Sequence, residues 1–312
     1  MARISLTVAS ANLVVKGSLR PGAERRGYGA GMVRAERVTD RVTHHGEGPV
    51  WSPRLGGLRF VDMLAGDVLT LRDDGGVDRR HVGTVAAVVR PRRDGGAVIA
   101  VERGFVLEDA DGSLEPLPEV WRDDSIRMNE GGCDPDGRFW CGSMAYDKTS
   151  GAASMYRLDA DHSVRRMFGG VTVSNGLEWS PDGSLAYYND THTHRISVFE
   201  YDVEAGLTNR RTLADLGDLR PDGLTVDAEG GVWTALYGGS AVHRYTPDGR
   251  LDEVVEVGAR QVTACTFGGD DLDRLFITTS RENLGPDDDP QAGSLFAAEV
   301  GVRGRPVREF AG

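Results

Sequence analysis

Trp179-Ser180-Pro181-Asp182-Gly183-Ser184-Leu185-Ala186-Tyr187-Tyr188 reads as an apolar residue, a tight turn and a strand, and it decides the fold because it recurs. Pro presets φ for a turn, and Asp-Gly supplies the positive φ that a hairpin needs. Five other segments share the phrase. They are Trp51-Ser52-Pro53 through Phe60-Val61-Asp62, Val89-Arg90-Pro91 through Gly96-Ala97-Val98-Ile99, and Cys133-Asp134-Pro135-Asp136-Gly137 through Phe139-Trp140-Cys141. The last two are Val226-Asp227-Ala228-Glu229-Gly230 through Val232-Trp233, and Phe267-Gly268-Gly269 through Leu275-Phe276-Ile277. Their spacing of about 38 to 47 residues is the length of one four-stranded propeller blade.

Residues 196–201 and 241–245 alternate as half-buried outer strands should, and almost nothing reads as helix. The expected fold is all-β, a six-bladed β-propeller with four-stranded blades. Residues 33–42 precede the first repeat without a partner, and residues 295–298 end the last. Pairing these N- and C-terminal strands in one mixed blade closes the ring and removes an exposed edge.

Composition fits this reading. The chain has 312 residues, 39% of them hydrophobic, and 42 are Gly, which suits one large all-β domain with many tight turns. A net charge of −12 argues against nucleic acid and anionic membranes as partners, and the chain is expected to be a monomer or small homo-oligomer. Three Cys make no disulfide framework and suit a reducing cytoplasm; Cys133 and Cys141 sit in apolar strand patterns, as buried inert thiols do. In residues 1–31 a mainly apolar run, interrupted by Ser5, Thr7, Ser10 and Asn12, leads into a basic, Gly-rich stretch. The run is too short and polar to span a membrane and has no clean cleavage site. Residues 1–31 are therefore expected to be a disordered extension or an upstream misassigned start, and residues 32–312 the catalytic domain.

Setting the repeats in register exposes a second pattern. Four residues before each Trp51-like position stand Glu47, Val85, Asn129, Asn175, Asp222 and Thr263. Equivalent positions of a propeller lie on one ring about the axis, so four carboxylates or amides converge from distant parts of the chain. Each is followed by Gly within two positions, which lets backbone approach closely at a crowded channel mouth. Singly, such residues make Asx turns; in phase, they form an all-oxygen donor set for a hard divalent cation such as Ca²⁺, Mg²⁺ or Mn²⁺.

Several segments then resemble one family. Gly46-Glu47-Gly48-Pro49-Val50-Trp51, residues 127–140 with Gly142-Ser143-Met144, residues 174–180, Pro221-Asp222-Gly223 and residues 265–269 look like the regucalcin/gluconolactonase (senescence marker protein) family. The resemblance runs from about residue 33 to the end of the chain and implies one axial divalent metal (Ca, Zn, Mn or Mg) on Glu47, Asn175 and Asp222. It implies substrate contacts from Arg127, Asn129 and, in a loop of looser alignment, Asp147. It also implies hydrolysis of a small-molecule sugar lactone, with Asp222 accepting the proton of the attacking water and Arg127 and Asn129 orienting the ring. Where many members have Asn-Asp-Gly, this chain has Asn129-Glu130-Gly131, a longer carboxylate expected to bear on sugar selectivity. The alternatives are an esterase or organophosphate hydrolase on the same metal ring, and a calcium-binding regulatory propeller without catalysis.

Other candidates carry less. His192 and His194 form an i, i+2 pair without a third ligand in phase, and are expected to be structural or part of a lid. His44 and His45 precede Glu47; one is expected to line the channel mouth, but neither falls on the ring position. Asp287-Asp288-Asp289 reads as a solvated loop, and no Gly-x-Ser-x-Gly elbow is present.

Overall fold

The computed structural model describes residues 31–312; the expectations for the segment before Gly31 lie outside the described residues. Blades one to five each take four consecutive antiparallel strands, from residues 46–81, 86–116, 126–171, 174–215 and 221–256. Blade six takes Val262–Gly268, Arg274–Thr279 and Phe296–Glu299, and its outermost strand is Glu36–Arg37 from the start of the domain. Each innermost strand packs against those of both neighbouring blades, and Val262–Gly268 returns to Gly46–Ser52, so the ring closes as expected. The closing strand is far shorter than residues 33–42. Beyond it, the chain stays on blade six through hydrogen bonds from Val38 N to Leu295 O (2.8 Å) and Val42 N to Gly293 O (3.0 Å). Gly31–Arg34 instead adds a fifth, parallel strand to blade five, opposite Glu253–Glu256.

The repeated turns are fixed by buried carboxylates. In blade five, Asp227 Oδ1 accepts from the amides of Glu229 (2.9 Å) and Gly231 (2.8 Å), while Oδ2 accepts from Trp233 Nε1 (2.9 Å) and Arg244 Nε (2.7 Å). Blade three repeats the arrangement: Asp134 accepts from the amides of Asp136 and Arg138, from Trp140 Nε1 (2.8 Å) and from Arg138 Nε (2.6 Å). One side chain therefore closes the turn, anchors the next strand's Trp and neutralises an Arg. Asp227 is fully buried, so Asp227→Ala strands those donors and is expected to cost about 3 kcal/mol, lowering the melting temperature by roughly 8 °C in a circular-dichroism melt. An unchanged melt would show the turn holds without it.

The Trp residues of the phrase pack blade on blade. Trp140, Trp179 and Trp233 are fully buried; Trp140 meets Trp179 edge-on at 6.4 Å and Trp233 meets Phe267 at 5.7 Å. Two expectations need correction. The strands around residues 196–201 and 241–245 are third strands and mostly buried, because the half-exposed outer position belongs to strands such as Val164–Val171. The acidic run is not wholly solvated either: Asp289 is buried and accepts from the amides of Arg260 (2.6 Å), Gln291 and Ala292. Helical structure among the described residues is limited to three single 3₁₀ turns, and no helix is long and apolar enough to cross a membrane. All three Cys are buried and free, and burial pushes their thiols well above the usual range.

Candidate active site

The innermost strands all begin at the same end of the ring. Glu47, Asn175, Asp222 and Thr263 are each the second residue of their strands, Gly46–Ser52, Ser174–Trp179, Pro221–Val226 and Val262–Gly268. Beside each, the pairing with the second strand slips by a bulge, between Glu47 and Val50, Ser174 and Leu177, Pro221 and Leu224, and Val262 and Ala264. Bulges re-aim side chains, and here they sit on the ring. The glycines that follow are required by packing. A Cβ at Gly176 would stand 2.3 Å from the Leu224 amide nitrogen, and one at Gly223 2.5 Å from Ala264 Cβ.

Two further carboxylates hold the entry to these strands. Asp62 accepts from the amides of His44 and His45 just before Glu47, at 3.0 to 3.1 Å. Asp190 does the same for Thr172 and Val173 just before Asn175, both at 3.0 Å.

Glu47, Asn129, Asn175 and Asp222 line one cavity, partly open to solvent, together with Arg127. The structure thus brings together five of the six residues singled out from the sequence. The sixth, Asp147, lies outside it on an exposed turn, where its two oxygens accept from Thr149 N (2.9 Å) and Thr149 Oγ1 (2.8 Å). Its neighbour Lys148 lines the cavity instead. Glu130 also turns away. Its carboxylate meets Arg90 (3.3 Å) in a separate small pocket lined from all six blades, not in the cavity that holds Asn129. Val85 is apolar and buried, and Thr263 spends its hydroxyl on Gly46 O (2.6 Å).

Local bonding orients the ring. The Thr191 hydroxyl donates to Pro221 O (2.8 Å), so its oxygen accepts from Asn175 Nδ2 (2.8 Å) and turns Asn175 Oδ1 the other way. Asn129 Nδ2 donates to Ser174 O (2.6 Å) and reaches Asn175 Oδ1 at 3.5 Å. Arg127 donates to Asn129 Oδ1 (2.6 Å) and Met128 O (3.0 Å). Its guanidinium is almost completely buried, with Nε lacking any hydrogen-bond partner, and burial lowers its pKa from the ordinary value.

The electrostatics are those of crowded acids. Burial pushes the Glu47 carboxyl well above the usual range, and Asp222 and then Glu130 raise it further. Burial does the same to Asp222, followed by Glu130 and Glu282, while Arg220 and Lys148 pull it back. Asp222 Oδ1 is buried without a hydrogen-bond partner. His45, whose Nε2 lies 4.0 Å from Glu47 Oε1, offers no positive charge at neutral pH, because burial lowers it to about 4. Two acids short of counter-charge, an orphaned carboxylate oxygen and an oriented amide oxygen fit a hard divalent cation. Among the described residues no three His, Cys, Asp or Glu side chains gather as a metal cluster; the candidate set is two carboxylates and an amide.

Sequence reading missed Glu282, Arg220 and Tyr237 as cavity residues. Of His44 and His45, one of which was expected at the channel mouth, it is His45, two before Glu47, that lines the cavity, since inward-pointing residues alternate along a strand. The paired His reading divides: His192 lines the cavity, whereas His194, beyond the 3₁₀ turn and at φ +55°, binds Leu219 O through Nδ1 (2.9 Å).

Fold and site together define a six-bladed propeller with an acidic axial cavity. The SMP-30/Gluconolactonase/LRE-like region model matches residues 45–281. The chain belongs to that family. Regucalcin of Oryctolagus cuniculus is 34% identical over 297 residues, covering 90% of this chain and 99% of that one. The 6-deoxy-6-sulfogluconolactonase of Pseudomonas putida is 37% identical over 276 residues, covering 86% and 95%. The crystal structure of a calcium-binding protein, regucalcin, from Agrobacterium tumefaciens matches with a TM-score of 0.84 at 29% identity, over 90% of this chain and 99% of that one.

Proposed function

We propose that this protein is a divalent-cation-dependent hydrolase of sugar-acid lactones. The observation that carries the reading is Asp222 Oδ1, buried, unpartnered and accompanied by a second buried carboxylate in the axial cavity. Relatives named as lactonase and regucalcin support it at the level of the family. Glu47, Asn175 and Asp222 would hold the cation, which when bound supplies carbonyl polarisation and a more acidic water. The chain's own contribution follows from the groups in place. Asp222 accepts the proton of the water that attacks the carbonyl carbon, a task for which its unpartnered Oδ1 is placed. Arg127, with Nε unspent, and Asn129, locked to it, bind the lactone oxygens and fix the ring. Cleavage of the ring C–O bond then leaves a carboxylate and a hydroxyl, the latter protonated from solvent.

The test is proton release from glucono-, galactono- and arabinono-lactones in a pH-stat. Turnover is expected with a divalent cation, to fall to background with chelator, and to return when the cation is restored. Turnover indifferent to chelator would sink the cation reading; failure on every lactone would sink the lactonase reading. It would favour instead the calcium-binding role for which the A. tumefaciens protein is described.

A further inference from the structure

The chain has 36 basic residues, of which only Lys16 and Lys148 are lysines, and Lys148 is the one lysine among the described residues. It lines the cavity, together with Arg220. Neither makes an ion pair among the described residues, in a chain of net charge −12 whose arginines are widely paired with acids. Both are nevertheless held. Lys148 sits in the left-handed region at φ +58°, its amide donating to Ala145 O (3.0 Å) in a turn that Asp147 ties to Thr149. Arg220 lies over the Tyr237 ring at 5.0 Å, and its carbonyl accepts from Tyr237 N (3.0 Å).

Opening a neutral lactone ring needs neither charge, since Arg127 and Asn129 already serve its oxygens. We infer that Lys148 and Arg220 form an anion subsite at the cavity mouth, and that the preferred substrate is a sugar lactone carrying an anionic group, such as phosphate, sulfonate or carboxylate, away from its carbonyl. This rests on the lactonase reading for the reaction, but not for binding. Two unpaired cations steer and seat an anion, while the buried acids disfavour one deeper in. Asp147, which the sequence marked as a substrate contact, acts here as a positioning residue for the turn that presents Lys148.

Calorimetry with unreactive sugar acids tests binding apart from turnover. The wild type is expected to bind 6-phosphogluconate and 6-deoxy-6-sulfogluconate about tenfold tighter than gluconate, with glucarate reporting the carboxylate case. That ratio should collapse toward one in the Lys148→Ala/Arg220→Gln double variant and persist in Lys148→Arg. With the matching lactones, the loss should fall on KM for the anionic member. Equal binding of all acids by the wild type would overturn the inference. So would equal losses of kcat on neutral and anionic lactones, because the two cations would then act only by holding charge on Asp222. A binding preference without hydrolysis of any lactone would keep the subsite and discard the lactonase reading.

Discussion

Asp222→Asn is expected to lower lactone hydrolysis by about three orders of magnitude and, in cation-free protein at neutral pH, to raise the melting temperature. The two effects have one cause. Asp222 is a buried carboxyl whose pKa is raised by burial and by Glu130 and Glu282. A raised acid contributes its full stability below its unfolded pKa, about 4, and loses it as pH climbs through the folded value. Removing the charge is therefore expected to raise the melting temperature at pH 7 and to change it little at pH 4. His45 slopes the other way: lowered to about 4, it withdraws stability as pH falls from about 6.5. That slope is common to both proteins and drops out of the difference. Adding a divalent cation should reverse the order, since only the wild type keeps both carboxylates to bind it. Melting curves from pH 4 to 8, with and without cation, make the comparison. A variant that kept its turnover, or that was less stable than wild type without cation, would remove Asp222 from the centre of the site.

How far the sequence reached is explained by where periodicity acts. The Ser180-Pro181-Asp182-Gly183 phrase marked all six blades because each hairpin needs the same turn chemistry, and the ring of Glu47, Asn175 and Asp222 followed because a propeller converts phase into proximity. Asn129 also faces the cavity, although it is fourth rather than second in its strand, because Ile126–Cys133 starts earlier. Phase says nothing about loops. Lys148, His192 and Glu282 stand on connections between strands, where no repeat constrains direction, and the expected loop contact fell one residue from the side chain that lines the cavity. Glu130 is set apart from its ring neighbour by the bulge between Met128 and Gly131, which interrupts the pairing there and leaves its carboxylate with Arg90 in a different pocket.

The last stretch of chain carries no repeat signal, yet Phe310→Ala is expected to be among the most destabilising single changes. The strand pairing that closes the ring is short, Glu36–Arg37 against Phe296 and Ala297, with an isolated bridge between His45 and Ser280. The C-terminal tail supplies a second tie across the end of the ring remote from the cavity. Ala228 N donates to Arg303 O in blade five, Gly304 N to Leu272 O in blade six, and Arg305 and Arg308 reach Trp179 O and Ser180 O in blade four. Glu309 pairs with Arg54 of blade one (3.0 Å), Phe310 N donates to Pro91 O of blade two, and Ala311 N to Gly137 O of blade three. One strap therefore touches all six blades, and fully buried Phe310 is its anchor in the core cluster that also holds Val89 and Phe139. Truncating a buried Phe costs about 3–5 kcal/mol, which corresponds to a fall of roughly 10 °C in melting temperature. The cavity lies at the other end of the innermost strands, so the damage should appear as lost stability in a thermal melt, while cation binding measured by calorimetry well below the transition stays near that of the wild type. A shift under about 2 °C would mean that the short strand pairing alone closes the ring.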